Sequence, residues 1–297
     1  MEYAIRLKNI NKYFGKNNHI LNNINMEVKK GIIFGIVGKN GAGKTTTMKI
    51  MTGLLKETSG SVEIGKGLTI GSLIETPGIC GDMTGLENLK LKATAIGNIP
   101  NEKLNEILEL VGLDKYEKRK AKNYSLGMKQ RLGIALALVG DPDILVLDEP
   151  INGLDPEGIV EIRNLILNLR DKYGKTILIS SHILEELFKI GDEYVIIDNG
   201  EVLLQATYRE LKERLVGEIE VLTDDVDKLI KLLADNGVNK YSIENQAVLI
   251  NKNEIEISKL AKMMVENNIK IDGISHKSIA YENLFFSLIK KKKIISE

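Results

Sequence analysis

One glycine-rich run stands out first for its chemistry. Gly38-Lys39-Asn40-Gly41-Ala42-Gly43-Lys44-Thr45 fits the spacing G-x-x-x-x-G-K-[ST]. Glycines let successive backbone N–H groups curl round a phosphate with no Cβ in the way. A helix starting at the end of such a turn adds the positive end of its dipole. In that setting the Lys44 ammonium reaches the outer phosphates of a nucleotide, and the Thr45 hydroxyl is an oxygen ligand for Mg²⁺. Asn40, Gly41, Ala42 and Thr46 complete the expected nucleotide contacts.

Two acids and a histidine complement this cradle. Asp148-Glu149 follow the apolar run Ile144-Leu145-Val146-Leu147 directly. At a strand end beside the cradle, Asp148 is expected to hold Mg²⁺ and Glu149 to orient and deprotonate an attacking water. His182 follows another apolar run, Thr176 to Ser180, in the same way, and is a candidate for contact with the terminal phosphate.

These side chains need elements to bring them together. Ile32 to Val37 is a continuous apolar run bounded by glycine, the pattern of a strand buried on both faces. Thr45 to Thr52 then reads as a helix. The runs at Ile144 and Thr176 are two more buried strands, separated by a helix over Glu157 to Lys172. Alternating strands and helices imply an α/β core with a mainly parallel sheet. Ala4 to Leu7 and Leu21 to Val28 read as strands ahead of it. Met83 to Ala121 reads as helices, with Thr84-Gly85-Leu86-Glu87 as a capping box and Leu104, Ile107, Leu108 and Val111 on one helix face.

Beyond residue 216 the pattern changes. Glu218 to Val221 alternates, Val226 to Leu233 has helical spacing, and Tyr241 to Ile243 and Ala247 to Ile250 read as paired strands. Ile257 to Met264 is a second helix face, and Ile269-Lys270-Ile271 begins a last strand. The order β-α-β-β-α-β is that of a ferredoxin-like unit. A closing helix is expected from Ala280 to about Lys292. The expected division is residues 1–215 and 216–297, in keeping with a length of 297 residues.

Composition narrows the function. Lys and Arg number 41 and Asp and Glu 41, so the formal net charge is zero. That argues against a nucleic-acid partner bound through a global basic excess. The single cysteine, Cys80, excludes an internal disulfide. No apolar stretch of about 18 residues is present, so any membrane role requires a partner that supplies the spanning part.

Further motifs carry a resemblance. Tyr124-Ser125-Leu126-Gly127-Met128-Lys129-Gln130-Arg131, just upstream of the Asp148 strand, resembles the signature of ABC transporter ATP-binding subunits. Asn152-Gly153-Leu154-Asp155 resembles their D-loop, His182 their switch histidine, and Tyr13 the aromatic that stacks on adenine. The resemblance covers about residues 2–215. It implies ATP and Mg²⁺ as cofactors and a homodimer formed on ATP binding. Each nucleotide would lie between the cradle of one copy and Ser125, Leu126, Gly127 and Met128 of the other, with Asp155 nearby. It also implies membrane-spanning permease subunits as partners, and a cytoplasmic location, peripheral on the inner face of the cell membrane.

Two departures refine the resemblance. Leu126 and Met128 stand where the commonest signature has glycine and glutamine, a form similar to the branch that works with ABC-2-type permeases. Glu75, in Ile74-Glu75-Thr76-Pro77, occupies the place of the usual Q-loop glutamine, as in the E-loop of lantibiotic-immunity transporters. Glu75 is accordingly expected near Mg²⁺, where the metal charge favours an ionised carboxylate. The expectation is an ATPase that energises antimicrobial-peptide immunity or export. Another cargo (a bacitracin-like drug, sodium or lipid) and a soluble, non-transport ABC ATPase are the alternatives.

Overall fold

The computed structural model describes residues 3–15, 18–97, 99–114, 118–182, 184–244 and 247–278. The chain divides into two compact units, Met1–Tyr208 and Arg209–Glu297.

The first unit opens on a long hairpin, β1 (Tyr3–Phe14) and β2 (Asn18–Lys29). The buried strand β3 (Ile33–Val37) and helix α1 (Lys44–Met51) follow, then β4 (Ser59–Ile64) and β5 (Ile70–Leu73). Three helices come next: α2 (Gly85–Ile96), α3 (Asn101–Leu110) and α4 (Leu126–Leu138). The core resumes with β6 (Ile144–Leu147), α5 (Pro156–Asp171), β7 (Thr176–Ser181), α6 (Leu184–Phe188), β8 (Glu193–Asp198) and β9 (Glu201–Thr207).

The principal sheet has the order β5-β6-β7-β3-β8-β9, with β5 to β8 parallel and β9 antiparallel to β8. β3 lies between β7 and β8, and all five of its residues are buried, which explains its unbroken apolar sequence. A smaller antiparallel sheet, β2-β1-β4, packs with it. Ile5, Phe34, Ile36, Met48, Val146, Leu178 and Val195 share one core. Burying each of the larger ones stabilises the fold by about 1.5–3 kcal/mol. This order matters for chemistry, because β3, β7 and β6 are consecutive neighbours. Whatever follows their carboxyl ends is gathered at one edge of the sheet.

Helices α2 and α3 occupy the stretch read as helical, and α4 lies beyond it. α2 begins with the expected capping box: the Glu87 amide donates to Thr84 Oγ1 at 3.2 Å, and the Thr84 amide donates to Glu87 Oε2 at 2.7 Å.

Helix α7 (Tyr208–Leu215) leads to β10 (Val216–Leu222), α8 (Val226–Asp235), β11 (Tyr241–Glu244), β12 (Ala247–Asn251), α9 (Ile257–Glu266) and β13 (Gly273–Ser278). The four strands form an antiparallel sheet of order β11-β12-β10-β13, the ferredoxin-like arrangement. Ile219, Val221, Val248 and Ile250 pack under Leu229, Leu233, Leu260 and Met264 of the two helices.

One strand differs from its expected position. Ile269-Lys270-Ile271 is not the start of the last strand, which begins at Gly273. Asn268 takes φ 53°, and the Ile269 amide bonds back to Met264 O at 2.9 Å, closing helix α9. Ile269 is then buried, and Lys270 pairs with Asp224 and Asp272. The apolar residues here plug the base of a helix rather than alternate along a strand. The closing helix expected from Ala280 lies outside the described residues.

Candidate active site

The cradle begins where β3 ends. Gly41 and Gly43 take φ of 80° and 105°, in the left-handed region that favours glycine. At Gly43 a Cβ would also come within 2.6 Å of Leu21 Cδ2, so the turn closes tightly against β2. Lys44, the first residue of α1, is only 6% exposed. Its ammonium donates to Gly38 O at 2.7 Å and Lys39 O at 3.3 Å, and lies 3.3 Å from Glu149 Oε1.

Asp148 and Glu149 follow β6, and Ser180 and His182 follow or close β7. Because β6 and β7 are parallel neighbours, these four residues meet. Asp148, 4% exposed, accepts from Thr45 Oγ1 at 2.8 Å on one oxygen and from Ser180 Oγ at 2.5 Å on the other. Ser180 in turn accepts the Glu149 amide at 2.8 Å. Glu149 has φ 49°, a left-handed conformation that a non-glycine residue adopts at a cost of about 1–3 kcal/mol. That turn aims its carboxylate back across the sheet edge. Oε1 faces Lys44, and Oε2 lies 2.7 Å from His182 Nδ1 and 3.4 Å from the His182 amide nitrogen.

Between these groups lies a cleft of about 340 Å³, lined by Ile20, Lys39, Asn40, Gly41, Gly43, Lys44, Thr45, Thr46, Glu149, Asn152 and His182. It offers backbone amides, a buried ammonium and a helix N-terminus, a setting for phosphate oxygens. Thr45 Oγ1 and Asp148 Oδ2 are hard oxygen donors side by side, and fit Mg²⁺, which keeps its remaining positions for water and phosphate. Among the described residues no cluster of three or more His, Cys, Asp or Glu forms a metal cage.

Other expected residues lie elsewhere. Ser125 caps α4, its Oγ accepting the Met128 amide at 3.2 Å. Leu126 is 52% exposed, and its Cδ2 would meet a Cβ placed on Gly153 at 3.2 Å. Ser125, Leu126, Gly127 and Met128 are not in the cleft lining. Asp155 caps α5, with Oδ1 accepting the Gly158 amide at 3.0 Å ahead of Pro156. Tyr13 sits on β1 at 39% exposure, stacked on His19. Glu75 takes φ 61°, and its carboxylate is engaged by Lys49 of α1 at 2.6 Å rather than by the groups around Asp148.

Sequence reasoning passed over Ser180, His19 and Lys49. Ser180 carried a signal: a hydroxyl ending an apolar strand has to bond something, and it is fully buried here. His19 and Lys49 carried none, because their partners come from tertiary pairing.

A phosphate cradle after an inner strand of a parallel sheet, with two acids after the strand two places away and a histidine after the strand between them, defines a P-loop nucleoside triphosphatase. The comparisons narrow this further. The family model for ABC transporters matches residues 21–152. The bacitracin transport ATP-binding protein of Bacillus licheniformis is 38% identical over 301 residues, covering 97% of this chain and 98% of that protein. A lantibiotic transport ATP-binding protein of Streptococcus pyogenes is 43% identical over 212 residues, covering 69% of this chain and 91% of that protein. Among solved structures, a dimeric ATP-binding cassette in a post-hydrolysis state with ADP and Pi superposes with a TM-score of 0.62 at 27% identity, covering 69% of this chain and 99% of that one. The chain belongs to the ABC transporter family, as an ATP-hydrolysing, ATP-binding subunit. Among the described residues no helix is long and apolar enough to cross a membrane.

Proposed function

We propose that this ATPase is the motor of an exporter that removes a peptide antibiotic from the cell that carries it. The observation behind this reading is the similarity to the bacitracin transport ATP-binding protein, which runs through 97% of the chain. The lantibiotic transport relative is more identical, yet it leaves about a third of this chain unmatched, since it covers 69%. A bacitracin-like cargo is therefore favoured by the extent of the match, and a lantibiotic by its identity.

The chemistry assigned to the site follows its geometry. Lys44 holds the outer phosphate oxygens, after exchanging its Gly38 and Lys39 carbonyl partners and the Glu149 carboxylate for them. That exchange leaves Glu149, oriented by His182, to accept the proton of the attacking water. Thr45 and Asp148 hold Mg²⁺, which when bound neutralises charge on the phosphates. Ser180 fixes Asp148 and the turn at Glu149 together. Tyr13 stacks on the base.

The reading also needs a second copy. The signature residues Ser125 to Met128 stand outside the cleft of their own chain. A head-to-tail homodimer supplies them in trans, with the α4 N-terminus facing the terminal phosphate. ATP binds the closed dimer better than the open one, and that difference in affinity is the work available. ABC-2-type permease subunits receive it. Their docking surface is the groove lined by Ile74, Pro77, Gly78, Leu91, Lys92 and Gly133, next to Glu75, with a volume of about 460 Å³. The subunit works at the cytoplasmic face of the membrane. The test is survival: the chain and its permease, expressed in a sensitive host, are expected to raise tolerance to bacitracin or to a lantibiotic. Tolerance to both unchanged contradicts the reading.

A further inference from the structure

The groove beside Glu75 has an edge that is held at both ends. β5 stops at Leu73, and the chain then turns at Glu75, whose φ of 61° lies in the left-handed region. A glutamate stays there only where its surroundings hold it. Lys49 is one such holder, its ammonium donating to Glu75 Oε1 at 2.6 Å. At the far end the buried Asn88 of α2 accepts the Cys80 amide at 2.8 Å and donates to Cys80 O at 3.1 Å. Ile74, Thr76, Pro77 and Gly78 of this stretch line the groove.

Lys49 belongs to α1, the helix that opens with Lys44 and Thr45. It stands five residues beyond Lys44, about 7.5 Å further along the axis. The Thr47 hydroxyl bonds back to Gly43 O at 2.9 Å, which ties the helix to the cradle turn. One short helix thus holds the phosphate groups at its start and the groove's edge near its end. A hydrogen-bonded helix of this length moves as a body, so a shift at Lys44 is felt at Lys49. Lys49 itself is absent from the lining of the phosphate cleft.

We propose that Lys49 is a positioning residue that links the cradle to the groove: through its ion pair with Glu75, occupancy of the phosphate site sets the position of residues 74–80. What the link achieves rests on the reading of that groove as the permease surface. The link runs both ways, so a partner that shifts Glu75 from the groove also alters the affinity for nucleotide. The pair is 30% exposed at Lys49 and 61% at Glu75, and such a pair adds little to stability. Its removal therefore leaves the fold in place and takes away the connection.

The single cysteine supplies the probe. Cys80 is exposed at the end of the same stretch, so its rate of reaction with a maleimide reports on that stretch. The rate is measured on the full chain with and without a non-hydrolysable ATP analogue and Mg²⁺, for the parent, Lys49→Met, Lys49→Glu and the exchanged variant Lys49→Glu/Glu75→Lys. Affinity for the analogue and oligomeric state are followed in parallel. In the parent the analogue is expected to change the rate about fivefold, the lower end of a coupling between sites. Lys49→Met and Lys49→Glu are expected to lose that response while Lys49→Met binds the analogue within about twofold of the parent and reaches the same oligomeric state. The exchanged variant should regain the response. Four results overturn the proposal: a parent rate indifferent to the analogue, a parent-like response in Lys49→Met, an exchanged variant no better than Lys49→Glu, or a Lys49→Met chain that no longer binds the analogue. Protection of a host by the chain and its permease tests the groove separately. A lost Cys80 response with protection unchanged leaves the link standing and takes the permease out of the groove.

Discussion

The hydroxyl of Ser180 donates to Asp148 at 2.5 Å and accepts the amide of Glu149 at 2.8 Å. One small side chain on β7 thus ties the two acids that follow β6. The acids differ in surroundings as a result. Asp148 is nearly enclosed, with each oxygen bonded, whereas Glu149 is turned out toward Lys44 and His182. Strand pairing thus gives two adjacent carboxylates the different surroundings that the proposed metal-binding and proton-accepting roles require.

Ser180→Ala is expected to leave a buried Asp148 oxygen and the Glu149 amide without their partner. Such unmet groups cost about 1–3 kcal/mol. Chemical denaturation should register a loss of that size, and ATP turnover should fall about tenfold, equivalent to ~1.4 kcal/mol of barrier. A variant as stable and as active as the parent shows that Ser180 is incidental to the site.

Glu75→Gln removes the Lys49 ion pair, which is exposed enough to contribute no more than about 1 kcal/mol. Its thermal stability should therefore stay close to that of the parent. Protection of the host from the peptide antibiotic should nevertheless drop, because Glu75 borders the groove assigned to the permease. Unchanged protection marks the acid as a surface residue without a part in coupling.

Thr84→Ala removes the N-cap hydroxyl of α2 and should lower stability by about 1 kcal/mol. The other half of that capping box responds to pH. The Thr84 amide, followed by the Thr84 hydroxyl, holds the Glu87 carboxyl below the usual carboxylate range. With its folded value depressed, its contribution is present above the unfolded value of about 4.3 and is lost as pH falls through the folded one. The stability difference between parent and Glu87→Gln should therefore shrink on acidification from neutral pH. A difference that grows instead contradicts the assigned bonding.

Much of this was legible in the chain because the relevant patterns are local. The cradle needs glycines at fixed spacing, and Ile144 to Leu147 and Thr176 to Ser180 are apolar throughout because parallel sheets bury both faces. The capping box and the β-α-β-β-α-β order were local in the same sense. What escaped notice depends on residues far apart in sequence. Lys49 meets Glu75, and Tyr13 meets His19, only through folding. Ile269 and Ile271 misled because apolar residues closing a helix and apolar residues in a strand look alike over three positions.

The most direct measurement concerns Glu149. Glu149→Gln keeps the size and hydrogen-bonding reach of the side chain while removing its capacity to accept a proton. The account predicts that this variant binds ATP, hydrolyses it at least about a hundredfold more slowly, and elutes as a dimer when ATP and Mg²⁺ are present. Hydrolysis at the parent rate, or a chain that stays monomeric with ATP bound, would contradict it.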